Sequence, residues 1–114
     1  MTRAANERLD DLAEAIRRIR SIAADAAVDP VAEAIARDAI LYNLVIIGEA
    51  VKHLDEDTRA RAPRIPWRRI AGLRDLLAHE YFRIEMDQIR KIVDRDLGSL
   101  ERAVEALRQV PPAP

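Results

Sequence analysis

The sequence predicts an all-α protein that folds as an antiparallel helical bundle of about four to five helices. Three observations lead to this prediction. The chain has only three glycines in 114 residues and is rich in Ala, Leu, Ile, Arg and Glu, which favour helices. Apolar residues recur at intervals of three and four positions along most of its length. A hydrophobic content of 49% is sufficient for one core, so we assign residues 1–110 to a single domain and 111–114 to a flexible tail.

The first two helices are predicted from an apolar stripe and from a capping signal. One helix is predicted from about Thr2 to Ala27. Its apolar stripe consists of Leu9, Leu12, Ile16, Ile19 and Ile22. Asp29 is placed as the N-cap of the second helix, with Pro30 at the first helical position. This helix runs to about Leu54 and is apolar on more than one face, so we expect its own bundle and a partner chain to bury it from two sides.

Prolines interrupt the middle of the chain. Asp55–Ala62 is expected to form a turn or a short helix. Pro63 and Pro66 then impose an extended segment, because residues before proline avoid the helical region. One or two helical turns are expected over Trp67–Leu73, with the indole in the core. Gly72 is expected to allow a close approach or a change of direction.

A last helix is predicted from about Glu85 to Gln109, with Gly98 as a tolerated weak point. Its apolar positions are Ile89, Val93, Leu97, Leu100, Val104 and Leu107. Their helical spacing indicates one face that packs against the rest of the bundle.

Composition excludes several classes of site. Cysteine is absent, which excludes disulfides and thiolate metal sites. The two histidines and the scattered acidic residues lack metal-ligand spacing, so no metal and no cofactor is predicted, and His53 is expected to cap the second helix or to lie at the surface. No apolar run approaches the ~20 residues needed to span a bilayer, and the charged N-terminal segment does not resemble a signal peptide. We therefore expect a cytoplasmic protein.

Charge is unevenly distributed on a chain whose net charge is −1. Residues 1–58 carry 7 basic and 12 acidic side chains, whereas residues 59–114 carry 12 basic and 8 acidic ones. No acidic residue interrupts the series Arg59, Arg61, Arg64, Arg68, Arg69 and Arg74. Such a local cationic patch suits phosphate recognition at one cleft, and Arg64, Arg68 and Arg69 are the candidates for RNA binding. The alternative is an ordinary solvated helix surface.

The strongest chemical signal is an R-x-x-x-x-H-x-Y pattern formed by Arg74, His79 and Tyr81. Arginine is a permanent cation that binds phosphate through two parallel hydrogen bonds, and histidine moves protons near pH 7. Together they suffice for metal-free RNA cleavage, in which the ribose 2′-hydroxyl is the nucleophile, the histidine transfers protons and the arginine stabilises charge on phosphorus. The alternative is a salt-bridged arginine, a surface histidine and a tyrosine that packs against Phe82.

The spacing of the pair limits how it can act. Five residues separate Arg74 from His79, which on an ideal helix corresponds to about 140° around the axis. The two side chains therefore meet at one phosphate only if the helix end is irregular or if a second protomer supplies a second copy of the motif. A two-fold dimer satisfies this geometry.

Four blocks surround this motif: Ile47–Lys52, Pro63–Trp67, Ile70–Arg74 and His79–Phe82. In this order they resemble the HepT family, HEPN-superfamily ribonuclease toxins encoded beside a nucleotidyltransferase antitoxin called MntA. The resemblance extends from about Ala34 to about Leu107. Because several separate blocks match in the right order, it is far more specific than the arginine–histidine pair alone.

The resemblance implies a function in detail. It implies a HEPN-like bundle that forms a homodimer and a metal-independent endoribonuclease toxin of a type VII-like toxin–antitoxin pair, with RNA as substrate. Arg74 and His79 take the catalytic positions. Tyr81 takes the position that the MntA-like antitoxin adenylylates, which would place bulky negative charge at the RNA site.

Four further polar residues are candidates for supporting roles. Where this chain has Asp75, the family usually has Asn, and an acid there would weaken RNA binding or stabilise a protonated histidine. Glu49 and Asn43 are polar residues in the apolar second helix, as is Asp38, and a place beside the catalytic pair would satisfy their hydrogen bonds. The alternative places them in solvent or at a neighbouring cap.

The sequence also permits a function of another class, a non-catalytic helical module that docks a minimal nucleotidyltransferase. Asp75 is the feature that favours it. Both functions predict a nucleotidyltransferase partner, but only the enzyme predicts growth arrest on expression of this chain alone.

Overall fold

The computed structural model describes residues 2–24 and 29–110. Its elements in chain order are α1 (Arg3–Ala24), α2 (Pro30–Lys52), α3 (Glu56–Ala60), α4 (Trp67–Glu80), α5 (Met86–Ile92), a π-helical segment (Val93–Leu97) and α6 (Gly98–Arg108). The described ranges contain no β-strand. The last three elements follow one another without a break, so the described residues form five helical rods and confirm the predicted fold class. The tail predicted at residues 111–114 lies outside the described residues.

The signals predicted for the first two helices are present. The Asp29 side chain accepts a hydrogen bond from the backbone N–H of Ala32 at 2.8 Å, and Pro30 occupies the first turn of α2. His53 is the C-cap residue of α2, which confirms its predicted structural position. The predicted end of α1 at Ala27 lies outside the described residues. The part of the α1 stripe that is fully buried comprises Leu9, Leu12, Ile16 and Ile19.

α2 is the central helix of the bundle. It packs against both α1 and α4, and α6 packs against α1. The α1–α6 pair is antiparallel, since Arg108 Nε lies 3.1 Å from Asp10 Oδ1 and Arg20 Nη2 lies 3.3 Å from Glu101 Oε1. The largest buried side chains that α2 contributes to the core are Ile40, Leu41, Leu44, Ile47 and Val51.

A short helix follows α2, as predicted, but the extended segment expected at Pro63 and Pro66 is wrong. The chain forms turns there, closed by hydrogen bonds from Ile65 N–H to the carbonyl oxygen of Ala62 at 3.2 Å and from Trp67 N–H to that of Ile65 at 2.8 Å. Thr58 of α3 donates its hydroxyl to the Asp55 carboxylate at the start of that helix. The residues between α3 and α4 are not helical. Trp67 is buried, and its indole N–H donates to the carbonyl oxygens of Arg59 and Ala62 at 3.0 and 2.9 Å. The predicted core position of Trp67 is confirmed, and these bonds attach the connection to the start of α4.

α4 is longer than predicted. We expected the helix to end at Leu73, but it continues to Glu80. The physical reason is that Leu73 and Leu77, one turn apart, are both buried against the bundle, so packing outweighs the weak helix propensity of Gly72. The helix ends where the carbonyl oxygen of Glu80 accepts hydrogen bonds from the backbone N–H groups of Arg83 and Ile84, each at 2.8 Å.

The predicted last helix is confirmed, with a π-helical turn that the periodicity did not indicate. Ile89 and Leu97 are eight residues apart. On an ideal α-helix this spacing would direct their side chains about 80° apart around the helix axis. The wider turn at Val93–Leu97 brings both side chains into the core. It also turns Asp96 inward, where the carboxylate binds the guanidinium of Arg69 on α4. This ion pair connects the last helix to α4.

Candidate functional site

Arg74 lies on the side of α4 that faces α2. Its Nε is 3.4 Å from Glu49 Oε2 on α2, and its Nη1 is 3.0 Å from Asp75 Oδ1. The expected contact between Glu49 and Arg74 is present, while a supporting role of Glu49 in catalysis stays a prediction. The arginine side chain is 46% exposed, so two carboxylates hold a guanidinium that solvent and ligands can still reach.

The close approach of α2 and α4 depends on Gly48. A Cβ atom at this position would lie 2.7 Å from the backbone nitrogen of Arg74 and 3.2 Å from the carbonyl oxygen of Ile70. The missing side chain thus lets the two helices meet at the residue that carries the guanidinium. The role expected of Gly72 is wrong, because α4 runs through it and a Cβ there would meet nothing within 4 Å.

His79 and Tyr81 lie at the C-terminal end of α4. His79 is exposed in the last turn, and Tyr81 is the half-buried C-cap residue. The Tyr81 ring packs edge-on against Phe82, with ring centroids 5.6 Å apart. The contact between the two rings agrees with the packing interpretation of the sequence.

Arg37 of α2 holds this end of α4 in place. Its Nη2 donates to the carbonyl oxygen of Tyr81, and its Nη2 and Nε both donate to the carbonyl oxygen of Ile84, at 2.9 and 3.2 Å. The guanidinium also lies 5.7 Å from the centroid of the Tyr81 ring. A cation at a helix C-terminus complements the helix dipole. Arg37 is not among the residues predicted from the sequence, although the lone arginine of an apolar helix signals a buried partner.

Arg74 and His79 do not converge within one chain. Both belong to the continuous helix α4, so their five-residue spacing corresponds to about 140° around its axis. Of the two arrangements that the spacing allows, the irregular helix end is excluded. Convergence of the pair through a second copy of the chain stays a prediction.

Comparison with known proteins identifies the family. The model of the "Ribonuclease HepT-like" family matches residues 12–107, which include α2, α4 and the whole R-x-x-x-x-H-x-Y motif. This chain belongs to the HepT-like ribonuclease family. The family expected from the four sequence blocks is thereby confirmed.

Individual relatives of the HepT-like chain cover most of its length. It is similar to the "Probable ribonuclease HepT" of Thermococcus cleftensis, with 36% identity over 110 residues, 96% of this chain and all of the relative. It is also similar to a "Putative RNase" of Caldanaerobacter subterraneus subsp. tengcongensis, with 35% identity over 94 residues, 82% of this chain and 81% of the relative. No solved structure gives a significant match.

Asp75 stands where the resemblance to the HepT family leads us to expect Asn. The hydrogen bond from the Arg74 guanidinium lowers the pKa of the Asp75 carboxyl, and the positive charge of Lys52 lowers this pKa further. Asp75 is therefore ionised at neutral pH and offsets part of the positive charge of Arg74.

Asn43 does not reach the site of this HepT-like chain. Its side chain is buried, its Nδ2 donates to the carbonyl oxygen of Ala39 at 2.8 Å, and its Oδ1 has no hydrogen-bond partner among the described residues. The expected contact with the catalytic pair is absent because six residues place Asn43 about 120° from Glu49 around α2. Asp38 instead binds Arg37 Nη1 at 2.9 Å.

The three arginines predicted to bind RNA differ in their surroundings. Arg64 and Arg68 are exposed and make no ion pair within residues 2–24 and 29–110. Arg69 is bound to Asp96, so part of its guanidinium is directed to the last helix. RNA binding by these residues stays a prediction.

The site contains no metal-ligand cluster among the residues that the structure describes. No three His, Asp or Glu side chains in this part of the chain are placed to hold a metal ion.

No described helix is both long enough and apolar enough to cross a bilayer.

Proposed function

We propose that this protein is a metal-independent endoribonuclease. The observation that carries the proposal is the place of Arg74 in a HepT-like chain: a half-exposed guanidinium is fixed to α2 by Glu49, and an exposed His79 lies further along the same helix. When a ribose 2′-hydroxyl attacks the adjacent phosphodiester, the reaction requires a group that moves protons and a fixed positive charge beside the phosphate. An imidazole and a guanidinium supply these two groups.

The proposed reaction needs no group beyond the RNA and these side chains. The 2′-oxygen attacks phosphorus, a bond to this oxygen forms, and the bond to the 5′-oxygen breaks. His79 accepts the 2′-hydroxyl proton as general base and, in its protonated form, delivers a proton to the leaving 5′-oxygen as general acid. Arg74 stabilises the negative charge that builds up on the phosphorane. The products are a 2′,3′-cyclic phosphate and a 5′-hydroxyl.

The shared site is proposed to form between two copies of the chain. The continuous α4 keeps Arg74 and His79 apart within one copy. α2 also presents three exposed apolar side chains on one face: Val31, Ile35 and Tyr42 are 69%, 66% and 62% exposed and are separated by four and seven residues. Exposed apolar side chains in this register suit a helix–helix contact, and a two-fold axis beside them would bring two motifs together.

Control by a nucleotidyltransferase antitoxin is proposed at Tyr81. The tyrosine oxygen would attack the α-phosphorus of ATP, with loss of its proton and release of pyrophosphate. Each attached adenylate would bring a phosphodiester anion two residues from His79. There it can pair with Arg74 or with the arginines of residues 59–69 and exclude RNA. Incubation with the partner enzyme and ATP should add adenylate mass to the wild type and silence it. Tyr81→Phe should remain active and gain no mass, and a mass gain in this variant would contradict the assignment.

The decisive experiment is digestion of RNA by the purified protein in the presence of a chelator. We expect cleavage that persists in chelator, yields cyclic phosphate ends and falls by about 10²-fold or more in His79→Ala and Arg74→Ala. Cleavage that requires an added divalent cation would contradict the metal-free mechanism. Expression of the wild type alone should arrest growth, and His79→Ala should not.

One observation favours the second candidate function, a non-catalytic module that docks a nucleotidyltransferase. Arg74 is bound by two carboxylates, those of Glu49 and Asp75, which lower its attraction for phosphate. The same digestion distinguishes the two functions. A protein that binds the partner enzyme but leaves RNA intact at all protein concentrations would be the docking module.

A further inference from the structure

A cationic groove lies between α4 and the helix that follows it. It encloses about 550 Å³. Three of its lining residues are basic and three are aliphatic: Arg83, Lys91 and Arg95, and Leu76, Ile84 and Ile92. We call this surface the α4–α5 groove. None of its basic residues belongs to the arginines that the sequence predicts to bind RNA.

The positive charge of the groove is only partly compensated. Arg83 and Lys91 are exposed and make no ion pair with any described residue. Arg95 binds Asp96, but this one carboxylate also binds Arg69, so two guanidinium groups share a single negative charge. Among the residues that line the groove, Glu80 alone is acidic. The groove therefore carries a net positive charge.

The groove begins beside His79. Leu76, which lines it, lies three residues before His79 and therefore on the same face of α4. Glu80, another lining residue, directly follows the histidine. Arg74 lies on the other flank of α4, against α2. The histidine thus lies on α4 between the arginine and the groove.

We propose that the α4–α5 groove binds the backbone of single-stranded RNA on one side of the cleaved phosphate. The proposal rests on the proposed ribonuclease function and extends it to the path of the substrate. Basic side chains follow the phosphates, and the aliphatic floor accommodates sugars and bases without selecting a sequence. Lys91 and Arg95 are about one helical turn, about 6 Å, apart, a separation comparable to that of neighbouring phosphates on an extended strand.

The first test measures binding without cleavage. The probe is a fluorescent 2′-O-methyl RNA of about 12 nucleotides, a length in the range that single-strand sites cover, which lacks the 2′-hydroxyl nucleophile. Lys91→Glu should raise Kd about tenfold at low salt, because it removes one phosphate contact and adds repulsion, and it should flatten the dependence of log Kd on log salt. Arg102→Glu is the matched control: it makes the same charge change on α6 at an exposed position outside the groove, and its Kd should stay near that of the wild type.

Equal Kd values for Lys91→Glu and Arg102→Glu would overturn the proposal. Displacement of the RNA by polyglutamate as effectively as by unlabelled RNA of equal charge would also overturn it, since the groove would then be a docking site for acidic protein segments. Because both variants change exposed side chains, thermal unfolding should give the same Tm for each as for the wild type.

The second test separates the groove from the catalytic site. On a cleavable 12-nucleotide RNA, Lys91→Glu should lower kcat/KM about tenfold through KM. On a dinucleotide, which is too short to enter the groove, the variant should match the wild type. Equal losses on both substrates would assign Lys91 to the cleavage site and contradict a separate groove. If the wild type binds the 2′-O-methyl RNA but cleaves nothing, the ribonuclease function fails while the binding site stands.

Discussion

Gly48 and Glu49 are neighbours on α2 that act on the same residue of α4. Gly48 allows the backbone of Arg74 to approach, and Glu49 binds its side chain. One position therefore sets where the arginine lies and the next sets where its guanidinium points. A contact between backbone atoms cannot relax as a flexible side chain can, so this pair fixes the arginine more firmly than an ion pair alone.

Gly48→Ala should damage both stability and cleavage. The added Cβ would lie 2.7 Å from the backbone nitrogen of Arg74, so α4 has to move away from α2. We expect a loss of about 1–3 kcal/mol in the free energy of unfolding, as for overpacking, together with slower RNA cleavage. Gly72→Ala is the control, because it meets open space in the same helix and should stabilise by about 0.5–1 kcal/mol. Chemical denaturation and RNA digestion measure both effects, and similar results for the two variants would contradict the role of Gly48.

Asp75→Asn should speed cleavage by about two- to fivefold, because it removes a carboxylate that competes with the phosphate for Arg74. The effect is small because the Arg74–Asp75 ion pair is exposed and therefore weak. The pKa of Asp75 is lowered, so its stabilising effect is present at neutral pH and is lost only as the pH falls through the lowered pKa. From about pH 5 to about pH 9 Asp75 therefore stays charged, so the faster cleavage by Asp75→Asn should be present over this whole range. Slower cleavage by Asp75→Asn would indicate that Asp75 supports the histidine instead.

At the scale of elements, the sequence predicts local features better than distant contacts. The Asp29 cap, the α1 stripe and the buried Trp67 depend on nearby residues, and each is found as predicted. The predicted end of α4 is wrong because the helix does not change direction at Gly72, and burial of Leu77 continues it to Glu80. The same limit applies to the site, since a spacing of three or four residues does not show which arginine reaches which carbonyl.

Arg37 is the clearest case of a contact that spacing does not show. Its carbonyl partners are 44 and 47 residues away, so only the packing of α2 against α4 brings them together. Arg37→Met keeps the aliphatic stem but removes three hydrogen bonds to the end of α4. We expect a loss of about 1–3 kcal/mol in unfolding free energy and slower RNA cleavage, because the segment that carries His79 loosens. Arg8→Met, which removes only an exposed pair with Asp11, should change stability by less than about 1 kcal/mol. A loss no larger than that of Arg8→Met would contradict the clamp.

At the scale of the whole molecule, the exposed side of α2 predicts a dimer. Its three exposed apolar residues, Val31, Ile35 and Tyr42, are large for a solvated face. We expect light scattering at micromolar concentration to give twice the chain mass, with an interface well above ~1,200 Å². Ile35→Glu should shift the protein toward monomer and reduce cleavage of RNA, while its helical content remains. A monomeric wild type, or an Ile35→Glu variant that stays dimeric, would contradict this use of α2.

The shared cleft makes a sharper prediction, because it assigns Arg74 and His79 of one site to different chains. Arg74→Ala and His79→Ala should each be inactive alone. When equal amounts of the two variants are mixed and exchange subunits, half of the dimers carry one mutant chain of each kind. The shared cleft of such a dimer keeps one of its two cross-chain pairs, with an intact arginine from one chain and an intact histidine from the other. Cleavage should recover to about a quarter of the wild-type rate, if each pair acts independently. A mixture of either variant with itself is the control and should stay inactive. The mixture could stay inactive although mass measurements show that subunits have exchanged. The site would then either be built within one chain or need both copies of the pair. In both cases the assignment of one arginine and one histidine from opposite protomers is wrong.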